Sequence, residues 1–135
     1  MGTGVKHYLF DTNILIYYFA DTLPVQEIPE IERILKESFY ISIITKIEFF
    51  GFEKYSQDKF SRELDFIGYA TVIPLTDEIA DTVIYIRRKT RVKIPDAIVA
   101  ATCLTEDLTL ITRNEKDFRD ITGLDLYNPF TGETP

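Results

Sequence analysis

Short, continuously apolar runs alternate along this chain with stretches in which apolar residues recur every three or four positions. The runs are typical of strands buried on both faces of a parallel sheet, and the clearest are His7–Phe10, Phe39–Ile44 and Leu108–Ile111. The intervening stretches have helical spacing, as in Ile31, Ile34 and Leu35. This alternation predicts βαβ units with right-handed crossovers.

Proline, glycine and helix-capping residues set the expected ends of the elements. Further strands are predicted at Thr71–Pro74 and Leu124–Tyr127. Helices are predicted at about Thr12–Ala20, Lys46–Tyr55, Asp58–Ile67, from an N-cap at Thr76, at Pro95–Glu106 and near Glu115–Arg119. The expected fold is a three-layer α/β/α sandwich with a mostly parallel central sheet. We expect one domain over residues 1–135, with flexible ends at 1–6 and 129–135.

Composition narrows the class of protein. The 135 residues are 45% hydrophobic and 27% charged, which is ordinary globular usage. No apolar run approaches the roughly 18 residues of a membrane span, so no membrane partner is expected. The single cysteine, Cys103, cannot form an internal disulfide, which favours a reducing compartment. The predicted location is the cytoplasm.

The charge is acidic overall but unevenly distributed. A formal net charge of −7 argues against binding nucleic acid through phosphate neutralisation over the whole surface. One segment is basic, however, and contains no acid between its cations, which are Arg87, Arg88, Lys89, Arg91 and Lys93. Such a run also suits a solvated helix end. Because it directly precedes Asp96, we interpret it as a candidate phosphate-contacting segment.

Four acidic residues that are distant in sequence each lie near the expected start of a helix. They are Asp11, Glu48, Asp96 and Asp117. The carboxyl ends of parallel strands share one edge of the sheet, where open α/β folds place their sites. Carboxylates gathered at that edge would repel one another unless a cation lies between them.

Each acid also has a purely structural interpretation, and those interpretations stay open. Asp11 suits a helix N-cap, and Asp96 suits the first turn of a helix. Thr45–Glu48 and Thr112–Glu115 both fit a capping box. Asp117 could be a surface residue.

The ligand chemistry favours a hard divalent cation. Carboxylates without histidine or cysteine suit Mg²⁺ or Mn²⁺ rather than Zn²⁺. His7 lies at the start of a strand, and Cys103 lies in an apolar helix. The chain contains no glycine-rich phosphate loop and no serine in a nucleophile elbow.

The order of these features resembles the PIN-domain ribonucleases, and the chain's size resembles the VapC-type toxins of toxin–antitoxin pairs. The likeness spans Tyr8–Phe130 and rests on Asp11-Thr-Asn13, Glu48, Pro95-Asp96-Ala97, Thr112-Arg-Asn114 and Asp117-Phe118. It implies an acidic metal-binding and catalytic quartet of Asp11, Glu48, Asp96 and Asp117. It also implies polar pocket positions at Asn13 and Thr112 or Asn114. Many relatives have an acid where this chain has Asn114, so Asp117 is the expected fourth acid and Glu115 a weaker alternative.

The resemblance implies an Mg²⁺- or Mn²⁺-dependent endoribonuclease with an RNA substrate, an antitoxin partner and a homodimeric state. Two other interpretations remain at this point. A non-catalytic PIN-fold module would use the pocket to bind RNA or protein. A receiver-like protein would be phosphorylated on Asp11, although such enzymes often have a second Asp two positions on and this chain has Asn13.

Overall fold

A five-stranded, entirely parallel sheet organises the described part of the chain. The structure, a computed structural model, describes residues 5–51 and 57–131. The predicted helix end near Tyr55 and the terminal residues 1–4 and 132–135 lie outside the described residues. The strands are β1 (Tyr8–Phe10), β2 (Tyr40–Ser42), β3 (Thr71–Ile73), β4 (Thr109–Ile111) and β5 (Leu126–Tyr127).

Helices connect the strands on both sides of the sheet. They are α1 (Thr12–Phe19), α2 (Ile28–Glu37), α3 (Ile43–Phe50), α4 (Gln57–Ile67), α5 (Asp77–Lys89) and α6 (Ile94–Glu106), with 3-10 turns at Val25–Glu27 and Glu115–Asp117. Among the described helices, none has both the length and the apolar character needed to cross a membrane.

The strand order β3-β2-β1-β4-β5 places a topological switch point between β1 and β4. The chain extends the sheet in one direction from β1 to β3 and then starts again on the other side of β1. Leu9 pairs with Tyr40 on one side and with Leu110 on the other. A crevice opens at such a point outside the carboxyl ends of the strands.

Two apolar cores cover the two faces of the sheet. Successive strand residues point to opposite faces, so Leu9 and Leu110 join one core while Phe10 and Ile111 join the other. Helices α5 and α6 pack on the first face, and α1, α2 and α3 contribute to the second. The predicted three-layer α/β/α sandwich is confirmed.

Small residues let α6 lie close to the sheet. Ala97, Ala100 and Ala101 are completely buried, as is nearly all of Cys103. Helix α6 ends at Asp107, which adopts the left-handed conformation with φ 56° and turns the chain toward β4. Asp and Asn are the non-glycine residues that tolerate this conformation best.

The expected capping boxes are wrong. Strand β2 ends at Ser42, whose hydroxyl accepts a hydrogen bond from the Ile44 N–H and caps α3, so the helix begins at Ile43, two residues before Thr45. Thr45 is consequently buried inside the helix, and Glu48 lies in its second turn. Asn114 precedes the second 3-10 turn and makes no side-chain capping bond.

The carboxyl-terminal segment packs against the second core within the described range. Phe130 is 7% exposed and its ring lies 5.0 Å from that of Tyr17. The Asn128 side chain accepts a hydrogen bond from the Phe130 N–H at 2.8 Å. Phe130, in the stretch from 129 that was expected to be flexible, thus packs on the second core.

Candidate metal-dependent active site

Asp11 is the buried centre of the crevice. It directly follows β1, and its N–H continues the sheet by donating to the Ile111 carbonyl at 3.0 Å. Its Oδ1 accepts the Thr12 N–H at 2.9 Å, which caps α1 as the helix-start interpretation predicted. Its Oδ2 accepts the Thr112 hydroxyl at 2.8 Å and the Asn13 amide at 3.1 Å. The carboxylate is 7% exposed.

Asn13 and Thr112 join β1 to β4 across this point. The Asn13 amide lies 3.3 Å from Thr112 Oγ1, and Asn13 Oδ1 accepts the Arg113 N–H at 3.2 Å. Thr112 Oγ1 also accepts the Asn114 N–H at 3.1 Å. All three predicted polar positions therefore lie in one hydrogen-bonded network with Asp11, Asn114 through its main chain.

Glu48 is brought to the same edge by Thr12. The Thr12 hydroxyl donates to Glu48 Oε1 at 2.7 Å and lies 3.2 Å from the hydroxyl of buried Thr45. Two helices that follow different strands are thereby connected at the crevice. Sequence reasoning missed Thr12 and Thr45, although Thr12 stands between Asp11 and Asn13.

Asp96 and Asp117 face a cleft of about 240 Å³. Asp96 is in the first turn of α6 and is half-buried, while Asp117 ends the second 3-10 turn. The cleft is lined by Arg91, Val92, Lys93, Asp96, Lys116, Asp117 and Asp120. Asp120, an additional acid on this wall, was not singled out from the sequence.

The pKa shifts at the site show that the charges of the four acids act on one another. Burial raises the pKa of Asp11 to about 6 against the opposing hydrogen bonds from Thr112 and Thr12, and the charges of Asp96 and Glu48 raise it further. Burial also raises the pKa of Asp96, as do the charges of Asp117 and Glu48, while Lys93 opposes the shift. The ion pairs of Arg33 with Glu30 and Glu37 lie on α2 and involve none of these four carboxylates. We call this group the acidic cup.

The ligand atoms are of the types that a hard divalent ion prefers, but they are not close enough together to bind one as they stand. The cup presents carboxylate, amide and hydroxyl oxygens, which are ligands that Mg²⁺ and Mn²⁺ prefer. Among the described residues, however, no three His, Cys, Asp or Glu side chains converge closely enough to hold a metal ion as they stand. Cys103 is no ligand candidate, because burial raises the pKa of its thiol.

Glu115 occupies a different position from Asp117. Its Oε2 accepts the Asn128 amide at 2.8 Å, and it does not line the cleft that Asp96 and Asp117 share. This placement favours Asp117 over Glu115 as the fourth acid of the cup.

The basic run divides into two groups. Arg87 donates to the Val92 carbonyl at 2.7 Å, and the Lys89 ammonium lies 4.9 Å from the centre of the Tyr85 ring. Arg91 and Lys93 instead line the cleft with Asp96. Arg88 is exposed on α5. The basic run therefore includes both the end of α5 and part of the lining of the cleft.

The sequence matches the PIN domain family over residues 8–124. The chain belongs to the PIN domain family. The resemblance inferred from its residue pattern is therefore confirmed. No curated protein sequence matches this PIN domain significantly.

Solved structures of similar fold include toxin–antitoxin complexes. The PIN domain is 34% identical to a chain of such a complex from Klebsiella pneumoniae, with a TM-score of 0.73 and coverage of 90% of this chain and 97% of that one. A DNA-bound VapBC complex from Salmonella typhimurium is 22% identical with a TM-score of 0.79, covering 93% and 99%. A VapBC complex from Rickettsia felis, bound to a promoter DNA fragment, is 24% identical with a TM-score of 0.76, covering 90% and 97%.

The receiver-like alternative does not fit the environment of Asp11. Both carboxylate oxygens accept hydrogen bonds from side chains or main chain, and the group is buried. A phosphoryl acceptor needs an accessible oxygen in line with the incoming phosphorus.

Proposed function

We propose that this PIN domain is a metal-dependent endoribonuclease that hydrolyses RNA phosphodiester bonds and acts as the toxin of a toxin–antitoxin pair. The observation that carries the proposal is the acidic cup. Asp11 is buried at the switch point of the sheet, its pKa is raised to about 6, and the charges that raise it further belong to Asp96 and Glu48. Carboxylates that raise one another's pKa at such a point are typical of a cation site.

Asp11 and Asp96 would be the principal ligands of Mg²⁺ or Mn²⁺, with Glu48 and Asp117 assisting. A bound ion would neutralise these carboxylates and stabilise the charge that develops on the scissile phosphate. Thr112 and Asn13 hold the Asp11 carboxylate in one orientation through Oδ2. Thr12 holds Glu48 in the same way. Side chains that are already fixed lose less entropy when a substrate binds.

The basic wall of the cleft supports an RNA substrate. Arg91 and Lys93 lie beside Asp96 and Asp117 and could contact phosphates that flank the scissile bond. Their local field would act against the net charge of −7. Single-stranded or looped RNA is the expected form, because its bases can be splayed apart.

We also propose an antitoxin partner and a homodimer. The 34%-identical neighbour is described as a toxin–antitoxin complex. An antitoxin segment could enter the crevice and present arginine to the carboxylates. Large exposed apolar side chains on α3, α5 and α6 could cover one another in a dimer, and they include Ile47, Ile84, Tyr85 and Ile94. The cytoplasm remains the expected location.

The deciding experiment incubates purified protein with a panel of structured and single-stranded RNAs, with and without Mn²⁺, and maps the ends produced. We expect metal-dependent cleavage that Asp96→Asn reduces by at least about a hundredfold, because a principal ligand is lost. The matched control is Asp65→Asn, which removes an exposed carboxylate from α4 and should leave cleavage unchanged. Equal cleavage by wild type and Asp96→Asn would indicate a contaminating nuclease.

One observation favours a second candidate, a PIN-fold module that binds RNA or protein without cutting. Among the described residues, no three potential metal ligands converge closely enough to hold an ion. Such a module would bind members of the panel, leave them intact in Mn²⁺ and bind equally well after Asp96→Asn.

A further inference from the structure

Asp117 of the acidic cup is carried by a single 3-10 turn, Glu115–Asp117, on a largely exposed segment. The Asp117 N–H donates to the Asn114 carbonyl at 3.1 Å, which closes the turn. Phe118 follows directly, and its buried ring fixes the end of the turn in the first core. One turn of 3-10 helix has little stability of its own. The beginning of the turn therefore needs a contact from elsewhere in the chain.

Asn128 supplies that contact. Its side-chain amide donates to Glu115 Oε2 at 2.8 Å and to the Arg113 carbonyl at a longer 3.4 Å. The bond to Glu115 is the stronger of the two, because it is shorter and its acceptor is a carboxylate. Glu115 begins the turn that Asp117 ends. The turn is thus joined at its first residue to the carboxyl-terminal segment.

Asn128 is itself fixed by the sheet and by the second core. It directly follows β5, where the Tyr127 carbonyl accepts the Thr112 N–H at 3.1 Å. Its Oδ1 accepts the Phe130 N–H at 2.8 Å, and the Phe130 ring is buried in the second core. This bond decides the orientation of the side-chain amide, because only Oδ1 can accept from an N–H. The NH₂ group must then face Glu115.

We propose that Asn128 is a positioning residue, which holds Glu115 so that the turn keeps the Asp117 carboxylate in the cleft that Asp96 also lines. This inference rests on the proposed nuclease function and adds the carboxyl-terminal segment to the site. Asp117 lines the cleft, whereas Glu115 does not. Glu115 therefore serves the site as the point where the turn is attached, and not as a fourth ligand.

The test reverses the polarity of the bond between Asn128 and Glu115. Asn128→Asp keeps an oxygen for the Phe130 N–H but sets a second carboxylate against that of Glu115, so repulsion replaces the bond. Adding Glu115→Gln restores a bond, because the glutamine amide can donate to the introduced carboxylate. The matched control is Gln26→Glu, which makes the same amide-to-carboxylate change on an exposed residue of the first 3-10 turn.

Solvent exchange of the Asp117 N–H, measured by NMR without metal or RNA, reports on the turn directly. Exchange should be about tenfold faster in Asn128→Asp, because a hydrogen bond to a charged group is lost and the turn opens more often. It should return to within about twofold of wild type when Glu115→Gln is added. Gln26→Glu should exchange as wild type does.

Steady-state cleavage of a labelled RNA shows whether the effect reaches the site through Asp117. The kcat of Asn128→Asp should fall about tenfold, and the double variant with Glu115→Gln should recover to within about threefold of wild type. In a chain that already carries Asp117→Asn, Asn128→Asp should change kcat by less than about twofold. A residue that acts only through Asp117 then has no carboxylate left to position.

The possible failures are distinguishable. Wild-type exchange at Asp117 in Asn128→Asp would refute the positioning role, while the nuclease function would stand if wild type cuts RNA. An equal fall in kcat with and without Asp117→Asn would also refute it, because Asn128 would then act by another route. If wild type cuts no RNA in Mn²⁺, the nuclease proposal fails, and the exchange rates alone decide whether Asn128 holds the turn.

Discussion

At the scale of single residues, one carboxylate has two functions in the fold. Asp11 begins α1 by accepting the Thr12 N–H, and the same group forms the buried floor of the acidic cup. A carboxylate that only capped a helix would lie near the surface and have an ordinary pKa. Burial next to Asp96 and Glu48 instead makes its ionised form costly.

The first prediction concerns the pH dependence of stability without metal. Asp11 has a pKa of about 6 in the fold and an ordinary value of 3.8 when unfolded. Between these values the folded state holds a proton that the unfolded state has lost. The free energy of unfolding should therefore fall as pH rises from about 4 to about 6, and Asp11 should account for roughly 3 kcal/mol of that loss.

Asp11→Asn should remove this contribution. Urea unfolding in EDTA across that pH range would show a flatter profile for the variant, with the difference between the two proteins growing in the variant's favour as pH rises. Asp65→Asn is the control. Parallel profiles for wild type and Asp11→Asn would show that the carboxylate is not held in the state described.

The residues of the site could be predicted from the sequence only where they follow the ends of predicted strands. Asp11 and Thr112 follow strands directly and Asn13 lies two residues after Asp11, so a parallel sheet brings them together. Thr12 was missed because a threonine bonding to an acid 36 positions away leaves no local pattern.

At the scale of elements, the parallel sheet was predictable because its strands are apolar and separated by helices. The start of α3 was not. A threonine followed three residues later by glutamate fits a capping box wherever it occurs, but Thr45 and Glu48 share a helix face one turn apart. The helix begins after Ser42 instead, because the Ser42 hydroxyl accepts the Ile44 N–H and caps it.

The second prediction tests whether removing the N-cap of a helix affects a site residue on the same helix. Ser42→Ala and Thr76→Ala should each lower the free energy of unfolding by about 1 kcal/mol, because each removes the acceptor for one helix N–H. Helix α3 carries Thr45 and Glu48, whereas α5 contributes no acid to the cup. Only Ser42→Ala should lower kcat for RNA cleavage as well.

The measurement combines urea unfolding with steady-state kinetics under conditions where both variants are fully folded. Equal activity in the two variants would contradict the idea that the position of α3 sets that of Glu48.

At the scale of the whole molecule, charges of both signs are arranged around one crevice. Four carboxylates collect at the switch point of the sheet, and cations stand at its rims, although the chain as a whole is acidic. The sheet brings like charges together because packing of the two apolar cores outweighs their repulsion. A ligand that relieves the repulsion should stabilise the entire fold.

The third prediction is that Mn²⁺ or Mg²⁺ raises the melting temperature. Binding to the folded state alone contributes about 2.7 kcal/mol when free metal is about 100 times its Kd, which corresponds to a rise of several degrees. Differential scanning calorimetry would measure the shift. Wild type and Asp65→Asn should respond, and Asp96→Asn should not. A response in Asp96→Asn equal to that of wild type would place the metal elsewhere.

Because β1 pairs with β4, the site can form only late in the synthesis of the chain. Thr112 lies 101 positions after Asp11, and its hydroxyl bonds to that carboxylate only once β4 has joined the sheet. A ribosome that has translated through α5 holds a chain with Asp11 and Glu48 but without Asp96, Thr112 and Asp117. Under the proposed nuclease function, we therefore expect the nascent polypeptide to leave RNA uncut, including its own message, until the last third of the chain has emerged and folded.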